Sequence, residues 1–152
     1  MKTIVVAGAC SDVGKTTVLR KIRDFFSDSI SVKLGKSEAF DKNKEELLLP
    51  SDSSIDSIKH ALPRQPAYLL IEGNSILKRF DPDLSIFVDG DGPDRRPDAD
   101  ELKKKCDLIV GKRIDCKQAF GLAGKSGLSL KEFGKLLNKI DVKVTKCQLG
   151  CF

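Results

Sequence analysis

The residues with the clearest chemical potential form one continuous segment near the amino terminus. They are Gly8, Ala9, Cys10, Ser11, Asp12, Val13, Gly14, Lys15, Thr16 and Thr17. A glycine-rich turn that opens a helix presents backbone N–H groups and the positive end of the helix dipole, which suit a chain of phosphates. In such a turn the amine of Lys15 reaches the outer phosphates and the hydroxyl of Thr16 ligates Mg²⁺. The segment therefore predicts that all ten residues form a nucleotide phosphate site, with Lys15 as a catalytic cation.

Two acidic residues compete to hold the magnesium ion of such a nucleotide. Mg²⁺ on a nucleotide keeps several waters and takes one or two protein carboxylates. Glu72 directly follows the apolar run Tyr68–Ile71, and Asp89 directly follows Leu84–Val88. Ligands of α/β proteins bind at the carboxyl ends of such strands. We expect Glu72 to act as the main metal and catalytic carboxylate, and we keep Asp89 as the alternative metal ligand.

The segment Gly111-Lys112-Arg113-Ile114-Asp115 is a candidate for reading the nucleotide base. It is similar to the Asn-Lys-x-Asp pattern, in which a carboxylate accepts hydrogen bonds from guanine. The Asn is missing here and Asp115 comes one place late, so ATP and GTP both remain candidates.

The elements that must position these residues alternate along the chain. Apolar runs predict strands at Thr3–Ala7, Ile30–Leu34, Ala67–Ile71, Leu84–Val88 and Asp107–Gly111. Helical spacing predicts helices at Lys15–Phe26, Ile55–Leu62 and Ala99–Lys105. Residues 36–54 are expected to form a loop around a short helix. The alternation predicts an α/β fold, a three-layer sandwich around a mostly parallel sheet, with a nucleotide-binding domain over residues 1–115.

Residues 116–152 are expected to form a small, basic helical appendage. This segment carries seven Lys against Glu132 and Asp141, and its excess equals the formal net charge of +5 of the whole chain. Two helices are expected, Gln118–Lys125 and Leu130–Ile140. Ser129 and Glu132 have the spacing of a capping box at the start of the second helix. A basic two-helix unit suggests nucleic-acid binding, but we favour a hairpin that packs on the sheet or on another protein.

Cysteines raise a separate question of metal or redox chemistry. Cys147 and Cys151 lie four positions apart, and with Cys106 and Cys116 they could form a four-thiolate zinc or iron–sulfur site. Ordinary thiols and a reversible disulfide are the alternatives. Cys10, inside the candidate phosphate segment, could make nucleotide binding sensitive to oxidation.

The composition restricts the class of protein. The chain has 152 residues, of which 40% are hydrophobic and 32% charged. No apolar stretch approaches the roughly 18 residues of a membrane helix, and the first apolar run is too short for a signal-peptide core. These features exclude a helical membrane protein, a secreted cystine scaffold and a disordered chain. We expect a cytoplasmic protein without a membrane partner.

The motifs resemble those of a known group of enzymes. The pattern Gly8-x5-Gly14-Lys15-Thr16 is similar to the phosphate loop of dethiobiotin synthetases and their relatives among P-loop NTPases. Leu69-Leu70-Ile71-Glu72-Gly73 is similar to a strand found in those enzymes and in the adapter proteins of molybdopterin-guanine dinucleotide biosynthesis. Lys33 stands where these families carry a basic residue. The chain departs from the synthetases at Asn74 and Ser75, and Cys10 replaces the signature Lys of the MinD/ParA-like branch.

The chain length suits the adapter proteins better than a full synthetase. The resemblance implies a Mg²⁺-dependent protein that binds ATP or GTP, hydrolyses it slowly and serves a protein partner in cofactor biosynthesis. Two other functions stay open: an ATP-dependent small-molecule kinase or ligase, and a nucleotide-sensing regulator that binds DNA.

Overall fold

The central feature of the protein is a seven-stranded sheet. The computed structural model describes residues 1–35, 39–41 and 46–145, with only the backbone described for 39–41. The strands are β1 (Lys2–Gly8), β2 (Ser29–Gly35), β3 (Ala39–Asp41), β4 (Glu46–Pro50), β5 (Tyr68–Glu72), β6 (Leu84–Val88) and β7 (Leu108–Ile109). Their order is β3-β4-β2-β5-β1-β6-β7, and every neighbouring pair is parallel except β3 and β4. The predicted α/β class with a mostly parallel sheet is confirmed.

Helices cover both faces of this sheet. They are α1 (Lys15–Arg23), α2 (Ile55–Ala61), α3 (Ala99–Lys105), α4 (Cys116–Ser126) and α5 (Leu130–Lys139), with a 3₁₀ helix at Ser75–Lys78. Two short strands, β8 (Arg113–Asp115) and β9 (Lys143–Thr145), form a separate parallel pair.

The alternation of side chains along β1 assigns the helices to two layers. Ile4 and Val6 belong to a hydrophobic cluster with residues of α1, α4 and α5. Val5 packs in a second cluster with residues of α2 and the 3₁₀ helix, and Ala7 packs in a third with residues of α3. Both faces of β1 are therefore covered, which explains its continuous apolar sequence.

The carboxyl-terminal helices belong to the same core as the sheet. Phe133 and Leu136 of α5 and Ala119 of α4 are fully buried in the cluster that contains Ile4. The segment expected as an appendage thus supplies α4 and α5 to one outer layer, in agreement with the favoured hairpin that packs on the sheet. Among the described residues, no helix is long and apolar enough to span a bilayer.

Within the described residues 39–41 and 46–54, the expected loop around a short helix is wrong, because the strands β3 and β4 form there. The run Leu47-Leu48-Leu49 forms most of β4, which pairs in parallel with β2. Leu47 and Leu49 are buried against one face of the sheet, and Leu48 points to the other. Three adjacent leucines have no distinct period, so the strand is defined by its pairing with β2.

The strand order creates a crevice at the carboxyl end of β1. The connection after β1 leads through α1 to β2 on one side, and the connection after β6 leads through α3 to β7 on the other. Such a divergence leaves a crevice between the two loops, which is where ligands of α/β proteins bind.

Candidate functional site

The loop between β1 and α1 presents unpaired backbone donors at this crevice. Gly14 is the N-cap of α1 and has a φ of +98°, a left-handed conformation that glycine adopts without strain. The first turn of α1 holds no acidic residue, and no described side chain caps the helix. The first N–H groups of a helix lack partners within the helix. This end of α1 is therefore suited to bind an anion.

The side chain of Val13 packs so closely against Gly8 and Gly90 that neither position has room for a Cβ. A Cβ on Gly8 would lie 2.7 Å from Cγ1 of Val13 and 2.8 Å from Cγ of Lys15. A Cβ on Gly90, in the loop after β6, would lie 2.5 Å from Cγ2 of Val13. Both glycines thus allow the loop to fold over the end of β1. The β1–α1 loop is further held by the N–H of Arg96, which donates to the carbonyl of Ala9 at 2.8 Å.

Four side chains of the loop and its neighbouring strands meet at the carboxyl ends of β2 and β5. Thr16 Oγ1 donates a hydrogen bond of 2.8 Å to Glu72 Oε2. Lys33 Nζ lies 3.5 Å from Glu72 Oε1 and 3.5 Å from Thr16 Oγ1. Lys15 Nζ donates to the carbonyl of Cys10 at 2.6 Å. The structure therefore brings Lys15, Thr16 and Glu72 together as the sequence predicted, with Lys33 beside them.

The charges in this cluster favour an anion. Glu72 is only 5% exposed and is compensated by the Lys33 amine, which leaves Lys15 as the excess positive charge. Burial lowers the pKa of Lys15, while the nearby carboxylate of Glu72 opposes this change. The Asp12 carboxylate also acts on Lys15, but a partly desolvated cation still gains from an added anionic ligand.

Asn74 fixes the point at which the loop leaves the sheet. Its Oδ1 accepts from the N–H of Gly8 at 2.9 Å, and its Nδ2 donates to the carbonyl of Gly8 at 2.8 Å. One residue earlier, the N–H of Gly73 still donates to the carbonyl of Val6. The Asn74 amide therefore continues the β1–β5 pairing after the backbone of β5 has turned away. A single amide after a strand has no periodic or motif signal, so this role of Asn74 is not predictable from the sequence.

Two adjoining cavities open onto the β1–α1 loop. The first, which we call the loop cavity, has a volume of about 430 Å³ and is lined by Asp12, Gly14, Lys15, Thr16, Thr17 and Lys33 among others. The second, which we call the side cavity, has a volume of about 360 Å³ and extends to Ser51, Asn74, Ser75 and Arg96. Ser11, Lys15, Leu34 and Glu72 line both cavities. Lys15 is thus accessible from two connected spaces.

The structure places Asp89, the alternative metal ligand, in a different environment. Its carboxylate accepts from Arg95 at 3.1 Å and from Lys103 of α3, and it lines neither cavity. The hydrogen bond from Lys103 lowers the pKa of Asp89, against an opposing effect of desolvation. Asp89 therefore anchors the loop after β6, whereas Glu72 faces the cavities.

Asp115, the candidate base reader, caps a helix. Its carboxylate accepts from the N–H of Gln118 at 2.8 Å, and the Gln118 side chain accepts from the N–H of Asp115 at 3.1 Å. This reciprocal pair forms a capping box at the start of α4. Asp115 lines neither the loop cavity nor the side cavity.

Of the four cysteines of the predicted thiolate site, the structure describes Cys106 and Cys116. Cys147 and Cys151 lie outside the described residues, and the described part of the chain contains no group of three or more potential metal ligands. Cys10, Cys106 and Cys116 form no disulfide within the described part of the chain. Burial, with a smaller contribution from Asp107, raises the pKa of Cys106 to about 12.

Comparison with other proteins gives no family assignment. No protein-family model matches the sequence, and no curated protein matches it.

Proposed function

We propose that this protein binds a nucleoside triphosphate together with Mg²⁺ and hydrolyses it slowly, as a P-loop NTPase. The observation that carries the proposal is the meeting of Lys15, Thr16 and Glu72 beside an uncapped helix start, within a cavity at the end of β1. A left-handed glycine, a helix start, a lysine and a hydroxyl are the parts that a phosphate chain requires.

The residues at and beside the β1–α1 loop would have different roles in binding the phosphates. The N–H groups at the start of α1 would bind phosphate oxygens, and Gly14 shapes the turn that directs them. Lys15 would exchange its hydrogen bond to the Cys10 carbonyl for the outer phosphates, which neutralises their charge. Lys33 supplies a second positive charge at the edge of the same cavity.

The oxygen atoms in the cluster fit a magnesium ion. The hydroxyl of Thr16 and the carboxylate of Glu72 lie within 2.8 Å of each other, and both are the hard oxygen ligands that Mg²⁺ prefers. A nucleotide-bound Mg²⁺ needs only one or two such protein ligands, so a larger acidic cluster is not required. When bound, the ion supplies neutralisation of charge on the transferring phosphoryl group.

The biological setting that we propose rests on the resemblance alone. The strand ending Glu72-Gly73 and the phosphate loop are similar to those of adapter proteins in molybdopterin-guanine dinucleotide biosynthesis. We therefore propose a role as an adapter in the assembly of a cofactor of this kind, with a biosynthetic protein as partner.

The experiment that tests the proposal is an equilibrium titration of the reduced protein with Mg-ATP and Mg-GTP. We expect saturable binding of one or both, and a loss of at least about 100-fold in affinity in Lys15→Ala, since several charge-assisted bonds to phosphate disappear. Lys21→Ala is the matched control, because it removes an exposed lysine from the same helix α1 away from both cavities. Its affinity should stay within about twofold of wild type.

Magnesium dependence gives a second arm of this experiment. Thr16→Val keeps the shape of the side chain but loses the hydroxyl, so its affinity should fall in Mg²⁺ and match wild type in EDTA. Equal affinities of wild type and Lys15→Ala would contradict the assignment of the site. Tighter binding of GTP would support the adapter role, and tighter binding of ATP would favour a kinase or ligase.

A further inference from the structure

We propose that the side cavity binds a second small molecule that carries an oxyanion group, a carboxylate or a phosphate, next to the nucleotide. This inference rests on the proposed function for what occupies the loop cavity. The side cavity itself is defined by residues that the phosphate loop does not require, above all Arg96, Ser51 and Ser75.

The two cavities have separate ends and a shared centre. Gly14, Thr16 and Thr17 line only the loop cavity, whereas Ser51 and Arg96 line only the side cavity. A triphosphate held by the start of α1 would therefore leave the Arg96 end open. The side cavity measures about 360 Å³, a volume within the range of small-molecule sites.

Arg96 is held at the side cavity by contacts of its backbone and of its side chain. Its backbone N–H donates to the carbonyl of Ala9 at 2.8 Å, which ties it to the β1–α1 loop. Its Nε donates to Asp98 Oδ1 at 3.0 Å, and Nη2 lies 3.4 Å from Oδ2. Within the described residues, Nη1 has no hydrogen-bond partner, and the side chain is 46% exposed. A guanidinium in this state can bind a carboxylate or a phosphate through its remaining N–H groups.

Asp98 is the carboxylate that holds the Arg96 guanidinium in place. Hydrogen bonds from Arg96 and Lys78 lower the pKa of Asp98 to about 2, so its carboxylate stays ionised at neutral pH. The carboxylate faces Arg96 but does not line the side cavity. The side cavity is therefore lined by the guanidinium and not by the carboxylate that orients it.

The other lining residues carry no charge and combine polar side chains, Ser11, Ser51, Asn74 and Ser75, with apolar ones such as Leu34, which suits a small molecule with polar and apolar parts. The hydroxyls of Ser11 and Ser51 have no hydrogen-bond partner among the residues that the structure describes, whereas the Ser75 hydroxyl donates to the Ser51 carbonyl. The charged groups are Arg96, Lys15 and Glu72, and Glu72 is already compensated by Lys33. The net charge of the lining thus favours an anion. Because Lys15 lines both cavities, this anion would lie beside the outermost phosphate of the nucleotide.

The test is a titration of ¹⁵N-labelled protein, saturated with a non-hydrolysable Mg-nucleotide, with inorganic phosphate and separately with acetate. The backbone amide signals of Asn74 and Ser75 report on the side cavity, and those of Thr16 and Thr17 report on the nucleotide. We expect saturable shifts of the first pair with at least one of the two anions. In Arg96→Gln the apparent Kd should rise at least about tenfold, as expected for the loss of a charge-assisted hydrogen bond.

Lys78→Gln is the matched control for this titration. Lys78 also contacts Asp98, at 2.7 Å, but it does not line the side cavity. Its Kd for the anion should therefore stay within about twofold of wild type. A stronger effect of phosphate would identify a phosphorylated ligand, and a stronger effect of acetate a carboxylic acid.

Two results would overturn the inference: no saturable shift of Asn74 and Ser75 with either anion, or equal Kd values in wild type and Arg96→Gln. Failure of the nucleotide proposal is seen separately, as unchanged Thr16 and Thr17 signals on addition of nucleotide. In that case the anion titration is repeated without nucleotide. The comparison of Kd values between wild type and Arg96→Gln then tests the inference in the same way.

Discussion

The amino and carboxyl edges of the sheet both use side chains to hold strand backbones, but the amino edge uses charged carboxylates and the carboxyl edge a neutral amide. At the amino edge, the carboxylate of Asp83 accepts from the N–H of Thr3 at 2.8 Å and from Lys2 at 2.9 Å. Asp28 holds the N–H of Ala67 at 2.8 Å in the same way. At the carboxyl edge, the neutral amide of Asn74 holds Gly8.

This difference allows one strand to be fixed at both ends while the proposed anion site at one of them keeps its positive charge. A carboxylate is a strong acceptor for backbone N–H groups, and at the amino edge its charge is compensated by Lys2 or Arg64. The same carboxylate beside Lys15 would cancel the charge that the phosphate site needs. Asn74 holds the backbone without that cost.

The largest effect that we predict is at Gly8. Gly8→Ala places a methyl group 2.7 Å from Val13 Cγ1, so the loop must shift. We expect nucleotide affinity to fall by at least about 100-fold, because the backbone donors lose their alignment with the phosphates. The measurement is the Mg-nucleotide titration, with far-UV circular dichroism to check that the sheet is retained. An affinity within twofold of wild type would show that the loop does not form the site.

The next largest effect is expected when the amide of Asn74 at the carboxyl edge is replaced by a carboxylate, with the reverse replacement at Asp83 as the comparison. Asn74→Asp adds a negative charge near Lys15 and repels the Gly8 carbonyl, so nucleotide affinity should fall about tenfold at pH 8. The protonated acid can again donate to that carbonyl, so affinity should recover as the pH is lowered. Asp83→Asn, at the other end of β1, should lower the melting temperature and leave the affinity unchanged. Similar affinity losses in both variants would indicate a general loss of stability.

Acid sensitivity is expected from the amino edge. Desolvation raises the pKa of Asp83, but the hydrogen bonds from Lys2 and Thr3 outweigh it, so the net pKa lies below 3.8. A carboxylate with a lowered native pKa stabilises the fold above its unfolded pKa, and this contribution is lost as the pH falls through the native pKa. The free energy of unfolding should thus decrease below about pH 4 less steeply in Asp83→Asn than in wild type. Urea denaturation between pH 5 and 2 measures this difference, and identical slopes would contradict it.

The smallest predicted effect is at Gly121, which, unlike Gly8, has no close packing contact. Gly121 lies within α4, and a Cβ there would meet no atom within 4 Å. Gly121→Ala should raise the free energy of unfolding by about 0.5–1 kcal/mol, because alanine loses less backbone entropy in a helix. Urea denaturation checks the stability, and the nucleotide titration should give the wild-type affinity. A destabilised variant would be contrary to this packing.

The sequence predicted what depends on local pattern. The buried strand before Gly8, the helix after Gly14 and the capping box of Ser129 with Glu132 all follow from nearest neighbours along the chain. The position of Glu72 near Thr16 could also be anticipated, since parallel strands bring their carboxyl ends to one edge.

What the sequence did not reveal depends on partners far along the chain. Asn74 gains its role from Gly8, which lies 66 residues away. Arg96 is defined by the carbonyl of Ala9 and by Asp98 in a turn-rich segment without periodicity. Asp115 matched a nucleotide motif by residue type, but the same carboxylate caps α4, and residue types alone do not separate these uses.

Lys33 gives the buried Glu72 an internal counter-ion. Its amine lies 3.5 Å from both oxygen atoms that would hold magnesium, so the carboxylate is compensated whether or not a divalent cation is bound. In the proposed function, arrival of the metal with a nucleotide would exchange one cation for another, and the displaced amine would become available to the phosphates. The buried carboxylate of Glu72 would then have a counter-ion both before and after the exchange.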